Sequence, residues 1–505
     1  MNANWTSQID TWNDLVRKGQ GAQVARELHK IPAGKVPKAF LPQVANLCWR
    51  LSQASIGIQI LFPDLRLKQS LGFESGAESW AEYAACLLEI GALEEAESIL
   101  EKVLKNFPRA KFYLALLHFR KWNYESSLPL LKSYLKDLEP SYHRTVVEVN
   151  LASALVVTNH HTEAEQLLLD LQKNLEHQQH HQLLGNSLEI SSQIHFARGD
   201  FDQAYETATK SVELLQGSRN RGWLYGKKWQ WVNRLHREKR LTTELALEYE
   251  GLVALSLEMR SWETQRELEL HRGLIERDEM LLNKVYYGSS SKHYKDHVHK
   301  KMSEHGIHEG IRDFFIWTHD QGTLDMTNEG SSDLLREVVN QGESLHSFLP
   351  KKLILHLFSD FYAPFRTGQL FSLLFQGEHF NPHTSPDRLF QIVRRGRDWL
   401  RDVGLPAEIS SSKTGYRMTI SPGGKFLISR ELSDLILSHG VWDKFQLYKL
   451  LLRTSFRDGI FSAQNLTSVA NCSARTSNRI LQELERQNEV ISLGRGKSRK
   501  FRLAS

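Results

Sequence analysis

The sequence predicts a mainly α protein in which a solenoid of paired antiparallel helices precedes two smaller α+β domains, each built from three helices and a β-hairpin. Three observations predict this. Small and apolar residues recur at helical spacing, in paired blocks, through residues 77–283. Two later stretches each show three helical segments followed by alternating, strand-like residues around a turn. At 505 residues the chain is also longer than one hydrophobic core fills. The expected divisions are a helical segment at 1–76, helical repeats at 77–283, a polar linker at 284–304, one α+β domain at 305–428 and a second at 429–505.

Composition narrows the function classes. With 41% hydrophobic residues and no apolar run of membrane-spanning length, no membrane segment is expected. The opening MNANWTSQIDTWNDLVRKG reads as an amphipathic helix and not as a signal peptide, so a cytoplasmic protein is expected. The three cysteines, Cys48, Cys86 and Cys472, form no CxxC pair and are expected to be small buried hydrophobes. A formal net charge of +5 is too small to argue for nucleic acid by itself, so the placement of the cations matters more.

One helical pair stands out in ESWAEYAACLLEIGALEEAESILEKVLKNFP. Small Ala84 and Ala96 let two helices approach closely, Gly91 supports the turn between them, and Pro108 follows the second helix. With Trp80, Tyr83, Leu87, Leu93, Leu100 and Val103 in step, this unit resembles a tetratricopeptide repeat. Looser copies follow around Ala115, Tyr124 and Ser127, around Ala152 and Ala164, and around Gly199, Phe201 and Ala204. Residues 223–283 keep helical spacing but lose the consensus, as terminal repeats do. The resemblance implies a concave surface that holds a protein or peptide partner and has no chemistry of its own.

Several motifs look chemical and fail on their context. Gly496-Lys497-Ser498 lacks the upstream glycine of a phosphate loop, since Ile491 stands there, and a strand-like KFRLA follows in place of a helix. His293, His297, His299, His305 and His308 form one histidine-rich segment, and His177, His180 and His181 another. Neither has HExxH spacing or a cysteine, so a solvated polar surface is expected and no metal. No catalytic motif is found, and neither an enzyme nor a cofactor is expected.

From Lys444 the segments FQLYKLLLRTSF, FSAQNLTSVANC, SARTSNRILQELERQNEV and ISLGRGKSRKFRLA predict three helices and a hairpin. Ser473 fits an N-cap, and Ile480, Leu481 and Leu484 form the inward stripe of the third helix. Arg475, Asn478, Arg479 and Gln482 then face outward, and these residue types reach guanine and adenine edges in the major groove. Arg495, Lys497, Arg499, Lys500 and Arg502 follow with no acid among them, as a hairpin lying along phosphates needs. The stretch resembles the winged-helix readers of MarR- and GntR-type regulators.

Upstream, KKLILHLFSDFYAPFRTGQLFSLLF, SPDRLFQIVRRGRDWLRDVGL and AEISSSKTGYRMTI give the same order. Here Leu389, Val393, Gly396 and Leu400 take the buried positions, Gly415-Tyr416 closes the hairpin, and DFFIWTHDQGTLDM supplies preceding strands. This stretch resembles the effector domain of OmpR-type regulators. The resemblance implies DNA contacts from Gln391, Arg394 and Arg395 on the third helix and from Lys413 and Arg417 on the hairpin. Gly396 stands where that family has leucine, and a mid-helix glycine costs about 1 kcal/mol relative to alanine, so a bent or weakened helix is expected.

The sequence therefore predicts a mainly α protein, a tetratricopeptide-like solenoid followed by two α+β winged-helix domains. Its expected function is sequence-specific binding of double-stranded DNA, with a protein or peptide partner on the repeats and room for a homodimer. The alternative is a scaffold in which both parts bind proteins.

Overall fold

The structure is a computed structural model that describes residues 2–68, 72–217, 220–320, 322–324, 331–340, 348–437, 443–456, 459–494 and 499–504. It divides into two compact units. The first comprises Met1–Asp278 with Thr367–Ser372 and Gly377–Ser385, and the second Glu279–Arg366, Leu373–Gln376 and Pro386–Ser505.

In the first unit the helices follow one another as α1 (Asn2–Arg17), α2 (Gly21–His29), α3 (Leu41–Arg50), α4 (Ala54–Lys68), α5 (Ala77–Ile90), α6 (Leu93–Val103), α7 (Ala110–Arg120) and α8 (Tyr124–Lys136). They continue as α9 (Tyr142–Val157), α10 (His161–His177), α11 (His181–Ala197), α12 (Phe201–Leu215), α13 (Arg221–Glu238), α14 (Thr243–Glu258) and α15 (Trp262–Glu276).

The pairing follows from small residues. Ala84 and Ala96, Ala115 and Ser127, Ala152 and Ala164, and Ser192 and Ala204 each lie twelve positions apart, and all eight are fully buried. At these positions the two helices of a pair meet with almost no side chain between them. The Ser192 hydroxyl donates across one pair to the Ala204 carbonyl at 2.8 Å, a contact that a larger side chain would prevent. The turn inside each pair is closed by one left-handed residue: Ser52, Gly91, Trp122, Asn159, Gly199 and Arg260. Only two of these six are glycine. The others carry a steric penalty on the order of 1–2 kcal/mol that the packing of the pair must offset.

The pairs are also joined by polar contacts. The Glu82 carboxylate, 1% exposed, accepts from Tyr113 Oη at 2.6 Å, Trp49 Nε1 at 3.0 Å and Asn46 Nδ2 at 3.1 Å, linking α3, α5 and α7. Trp231 Nε1 donates to the Leu245 carbonyl at 2.9 Å and fixes α13 to the start of α14. Asn123, Ser141, Asp200, Asn220 and Thr242 cap the helices that follow them, each side chain accepting from a first-turn N–H.

The second unit opens with α16 (Glu279–Tyr287) and α17 (Lys292–Glu304). The expected polar linker at 284–304 is thus corrected, because most of it is helical. Tyr294, Val298 and Met302 form a buried stripe at four-residue spacing that the surrounding His and Lys residues obscure in the sequence. Next come β1 (Phe314–Thr318), β2 (Ser332–Asp333), α18 (Leu334–Asn340), α19 (Phe348–Leu357), α20 (Thr367–Leu374), most of which belongs to the first unit, and α21 (Ser385–Val403). The hairpin β3 (Ala407–Ser412) and β4 (Gly415–Ile420) follows, then β5 (Lys425–Ser429) and α22 (Arg430–Leu437). Strand β5 pairs antiparallel with β1 and parallel with β2. The first α+β module therefore runs past 428, since β5 completes its sheet and Leu432, Ser433 and Ile436 of α22 are buried.

Two glycines in this module have defined geometric tasks. Helix α21 runs without interruption through Gly396. A Cβ at Gly396 would lie 3.0 Å from Ile409 Cδ1, so the glycine admits the hairpin against the helix. Gly415 has φ +139°, and a Cβ there would stand 2.1 Å from the Phe365 carbonyl oxygen. Its absence lets Phe365 pair with Tyr416 through reciprocal bonds of 2.7 and 2.9 Å. Gly415 and Tyr416 begin the second strand of the hairpin, and the reversal itself is Lys413-Thr414.

The last module contains α23 (Lys444–Ser455), β6 (Phe461–Ser462), α24 (Ala463–Val469), α25 (Ala474–Arg486) and the strands β7 (Val490–Leu493) and β8 (Lys500–Leu503). The short β6, between the first and second helices, pairs with β8, as Phe365 pairs with β4 upstream. Cys48 and Cys86 are buried as expected, whereas Cys472 is half-buried in the turn before α25. Among the described residues no helix is long and apolar enough to cross a membrane.

Two outcomes follow. Ala96→Leu forces a larger side chain into the α5–α6 contact, so it should destabilise the repeats by about 1–3 kcal/mol, read as a lower midpoint in urea unfolding. In the second unit, burial, with Lys352 nearby, pushes the fully enclosed His356 down to about 3. An unfolded histidine titrates near about 6.5, so stability is complete above that value and is lost as the pH falls towards 3. Amide protection of α19, corrected for intrinsic exchange, should fall as the pH is lowered from about 7 to 5, and His356→Leu should flatten that slope.

Candidate nucleic-acid interface

The cap, the buried stripe and the preceding turn together orient α25. Ser473 caps the helix by accepting from the Thr476 N–H at 3.2 Å. Ile480, Leu481 and Leu484 are buried with Thr476 and Ser477, as the sequence predicted for the apolar stripe. In the turn ahead of it, Asn471 adopts φ +43°, and the Ser477 hydroxyl lies 2.8 Å from that of Thr467, tying α24 to α25. The remaining face can only point away from the module.

Arg475, Asn478, Arg479 and Gln482 are all exposed on that outer face, and none has a hydrogen-bond or ion-pair partner among the described residues. Arg486, one turn further on, is different. Its guanidinium makes two bonds to the Glu483 carboxylate, at 3.0 and 2.6 Å, and this pair holds Glu483 below the usual carboxylate range. The free donors are thus confined to the first two and a half turns, where a recognition helix approaches base edges.

The hairpin is less uniform than its sequence implied. Arg495 and Lys497 lie outside the described residues. Arg499 does not stand free: Nη2 donates to both Glu485 oxygens, at 2.7 and 2.6 Å, and the guanidinium lies 5.1 Å from the Phe501 ring centre. Hydrogen bonds from Ser492 and Arg499 lower the Glu485 carboxyl. The acid that compensates Arg499 comes from α25 and not from the hairpin, which is why a scan of the hairpin alone missed it. Lys500 and Arg502 are exposed on either side of buried Phe501, so the alternation of β8 directs both cations outward.

The face of α21 has mixed charge. Gln391, Arg394 and Arg395 are exposed and without partners among the described residues. Asp387, Asp398 and Asp402 are exposed on the same helix, and Asp398 accepts from Arg401 at 3.3 Å. Phe390 lies next to Gln391 and is 51% exposed, a residue the sequence reading left out because the buried stripe passes through Leu389. Lys413 is exposed at the hairpin reversal, and Arg417 is exposed while Nη2 reaches the Phe361 carbonyl at 3.4 Å. Arg397 turns inward, its Nε donating to the Ile409 carbonyl at 2.9 Å, and fastens the helix to the hairpin. Among the described residues no group of three or more His, Cys, Asp or Glu is placed to hold a metal ion.

No protein-family model matches this chain, and no curated protein matches it. Solved structures are similar to part of it, among them these two. One is the crystal structure of a Rap protein complexed with competence and sporulation factor, at 11% identity and a TM-score of 0.46, with 60% of this chain and 94% of that chain covered. The other is the apo form of RapI, at 12% identity and a TM-score of 0.39, with 60% and 92% covered. The assignment of paired helices rests on this chain's own elements.

The geometry separates structural from free side chains on α25, and stability measurements check the division. Ser473→Ala should cost about 1 kcal/mol through the lost cap. Arg475→Ala and Arg479→Ala should each stay within about 0.5 kcal/mol of wild type in urea unfolding.

Proposed function

We propose that the chain is a DNA-binding regulator in which the helical repeats hold a protein or peptide partner and the C-terminal module reads duplex DNA. In this reading both α+β modules are winged helices, the first of OmpR type and the second of MarR or GntR type. The observation that carries it is the outer face of α25, where two arginines, an asparagine and a glutamine project with no partner among the described residues, beside outward Lys500 and Arg502. Arg486 on the same helix is by contrast paired with Glu483.

A second reading, a scaffold whose modules bind proteins, is favoured for α21 by the exposed Phe390 amid charges of both signs. Phosphates repel the three aspartates on that helix, whereas a protein partner can match a mixed face and cover an aromatic ring. The proposed division of labour is therefore base reading by α25 and, for α21, a contact in which Gln391, Arg394, Arg395, Lys413 and Arg417 serve a protein or the DNA backbone.

The test is titration of the full-length protein onto random and selected duplexes over a range of salt. Wild type should bind with a salt slope that falls by roughly 0.9 for each phosphate contact removed in Lys500→Ala and Arg502→Ala. Arg479→Ala should cost about 1–3 kcal/mol on a selected site and relax the base preference there. Absence of duplex binding at low salt would leave the scaffold as the reading.

A further inference from the structure

The first unit contains a pocket of about 180 Å³ walled by Phe62, Phe73, Trp80 and Tyr83. Its volume is comparable to the roughly 150 Å³ apolar cavity that takes a benzene ring, so it has room for one ring or a branched aliphatic group. The aromatic wall combines a tilted and an edge-to-face contact. Trp80 lies 4.8 Å from Phe73 and 6.2 Å from Tyr83 between ring centres, the latter pair at 90°. Tyr83 is fixed in turn, its hydroxyl donating to the Phe380 carbonyl at 3.1 Å.

The polar groups around this wall are not equivalent. Glu95 is committed, accepting from the Phe380 N–H at 2.8 Å and lying 3.1 Å from His379 Nδ1. That bond also raises the His379 pKa, favouring its cationic form. Arg66 lines the pocket, is exposed, and has no hydrogen-bond or ion-pair partner among the described residues. Lys102 Nζ lies 4.7 Å from the Phe73 ring centre. The one carboxylate that lines the pocket is therefore already bonded, while Arg66 has capacity to spare. Trp80, 8% exposed, adds an indole N–H buried with no acceptor. A buried donor left in this state costs about 1–3 kcal/mol, and an oxygen brought in beside the ring would recover part of it.

We propose that this pocket binds an apolar ring carrying a carboxylate, the ring stacked among Phe73, Trp80 and Tyr83 and the carboxylate held by Arg66. Two sources share this chemistry: a free aromatic acid, and the C-terminal aromatic residue of a peptide. The proposal gives a place and a chemistry to the partner of the repeats proposed above. It is read by ligand binding alone, so its failure leaves DNA reading untouched and the reverse also holds.

The experiment is calorimetric titration of the full-length protein with four probes: 3-phenylpropionate, 3-phenylpropionamide, acetyl-Gly-Gly-Phe with a free C-terminus, and the same peptide amidated. At least one acid should bind roughly tenfold more tightly than its amide, the size of one charge-assisted contact. Arg66→Gln should remove that preference, and Ile99→Trp, which fills the pocket, should abolish binding of both acids. Binding of 3-phenylpropionate alone identifies a small acid as the ligand, and binding of the peptide acid alone identifies a peptide end. The proposal is overturned if neither acid binds, if acid and amide bind equally, or if Arg66→Gln leaves the preference intact. Should Ile99→Trp fail to fold, the exposed Arg66→Gln variant decides by itself.

Discussion

The first unit depends on one steric constraint, the contact of two helices across a pair of small residues twelve positions apart. Twelve residues are enough to finish one helix, turn through a left-handed residue and bring the next helix back to the same level. Ala84 and Ala96 do this around Gly91, and Ala152 and Ala164 around Asn159. Once the backbones are that close, the buried face of each helix has a fixed direction. The larger apolar side chains, such as Leu87, Leu100, Leu155 and Leu168, then fill the space on either side. Serine can stand at the contact because its hydroxyl finds a carbonyl within reach, as Ser192 does at Ala204.

That constraint also explains how far the fold could be read. The small pairs are visible in the sequence, so the helical repeats were legible from Ala84 to Ala204. The turns were not, because the left-handed position held by glycine in the first pair is filled by Trp122, Asn159 and Arg260 elsewhere. Of these only asparagine is a usual turn residue, so at Trp122 and Arg260 the consensus fades although the geometry persists. A similar masking hid α17, whose Tyr294, Val298 and Met302 stripe is interleaved with histidines and lysines that read as a linker. Gly396 shows what propensity leaves out: it marks a weak point in the helix, and tertiary packing against Ile409 supplies the reason for the glycine.

Of the candidate interface, the face of α25 was legible because an inward stripe of Ile480, Leu481 and Leu484 leaves no choice about what points outward. What sequence could not give was the state of each cation. Arg479 and Arg486 look alike in the chain, yet Glu483 satisfies Arg486 and nothing among the described residues satisfies Arg479. Arg499 is matched by Glu485, fourteen residues away, a pairing that exists only once β7 and β8 fold back on the helix. The distinction matters energetically. A guanidinium already bonded to a carboxylate must give up that bond before it can serve a phosphate or a base, whereas a free one gives up only water.

Helix α5 joins stability to the proposed binding in the first unit. Trp80 and Tyr83 line the aromatic pocket, while Glu82, between them in sequence, is buried against α3 and α7. Burial raises the Glu82 pKa, opposing its charge, while hydrogen bonds from Tyr113, Asn46 and Trp49 and the charge of Arg109 act in the other direction. Each of those donors leaves its own helix to reach one carboxylate, so rotation of α5 would strand several buried polar groups at once. The rotation that would collapse the pocket wall is the same one that breaks this network. The rings are therefore held in place before any ligand arrives, and a ligand that enters does not have to order them.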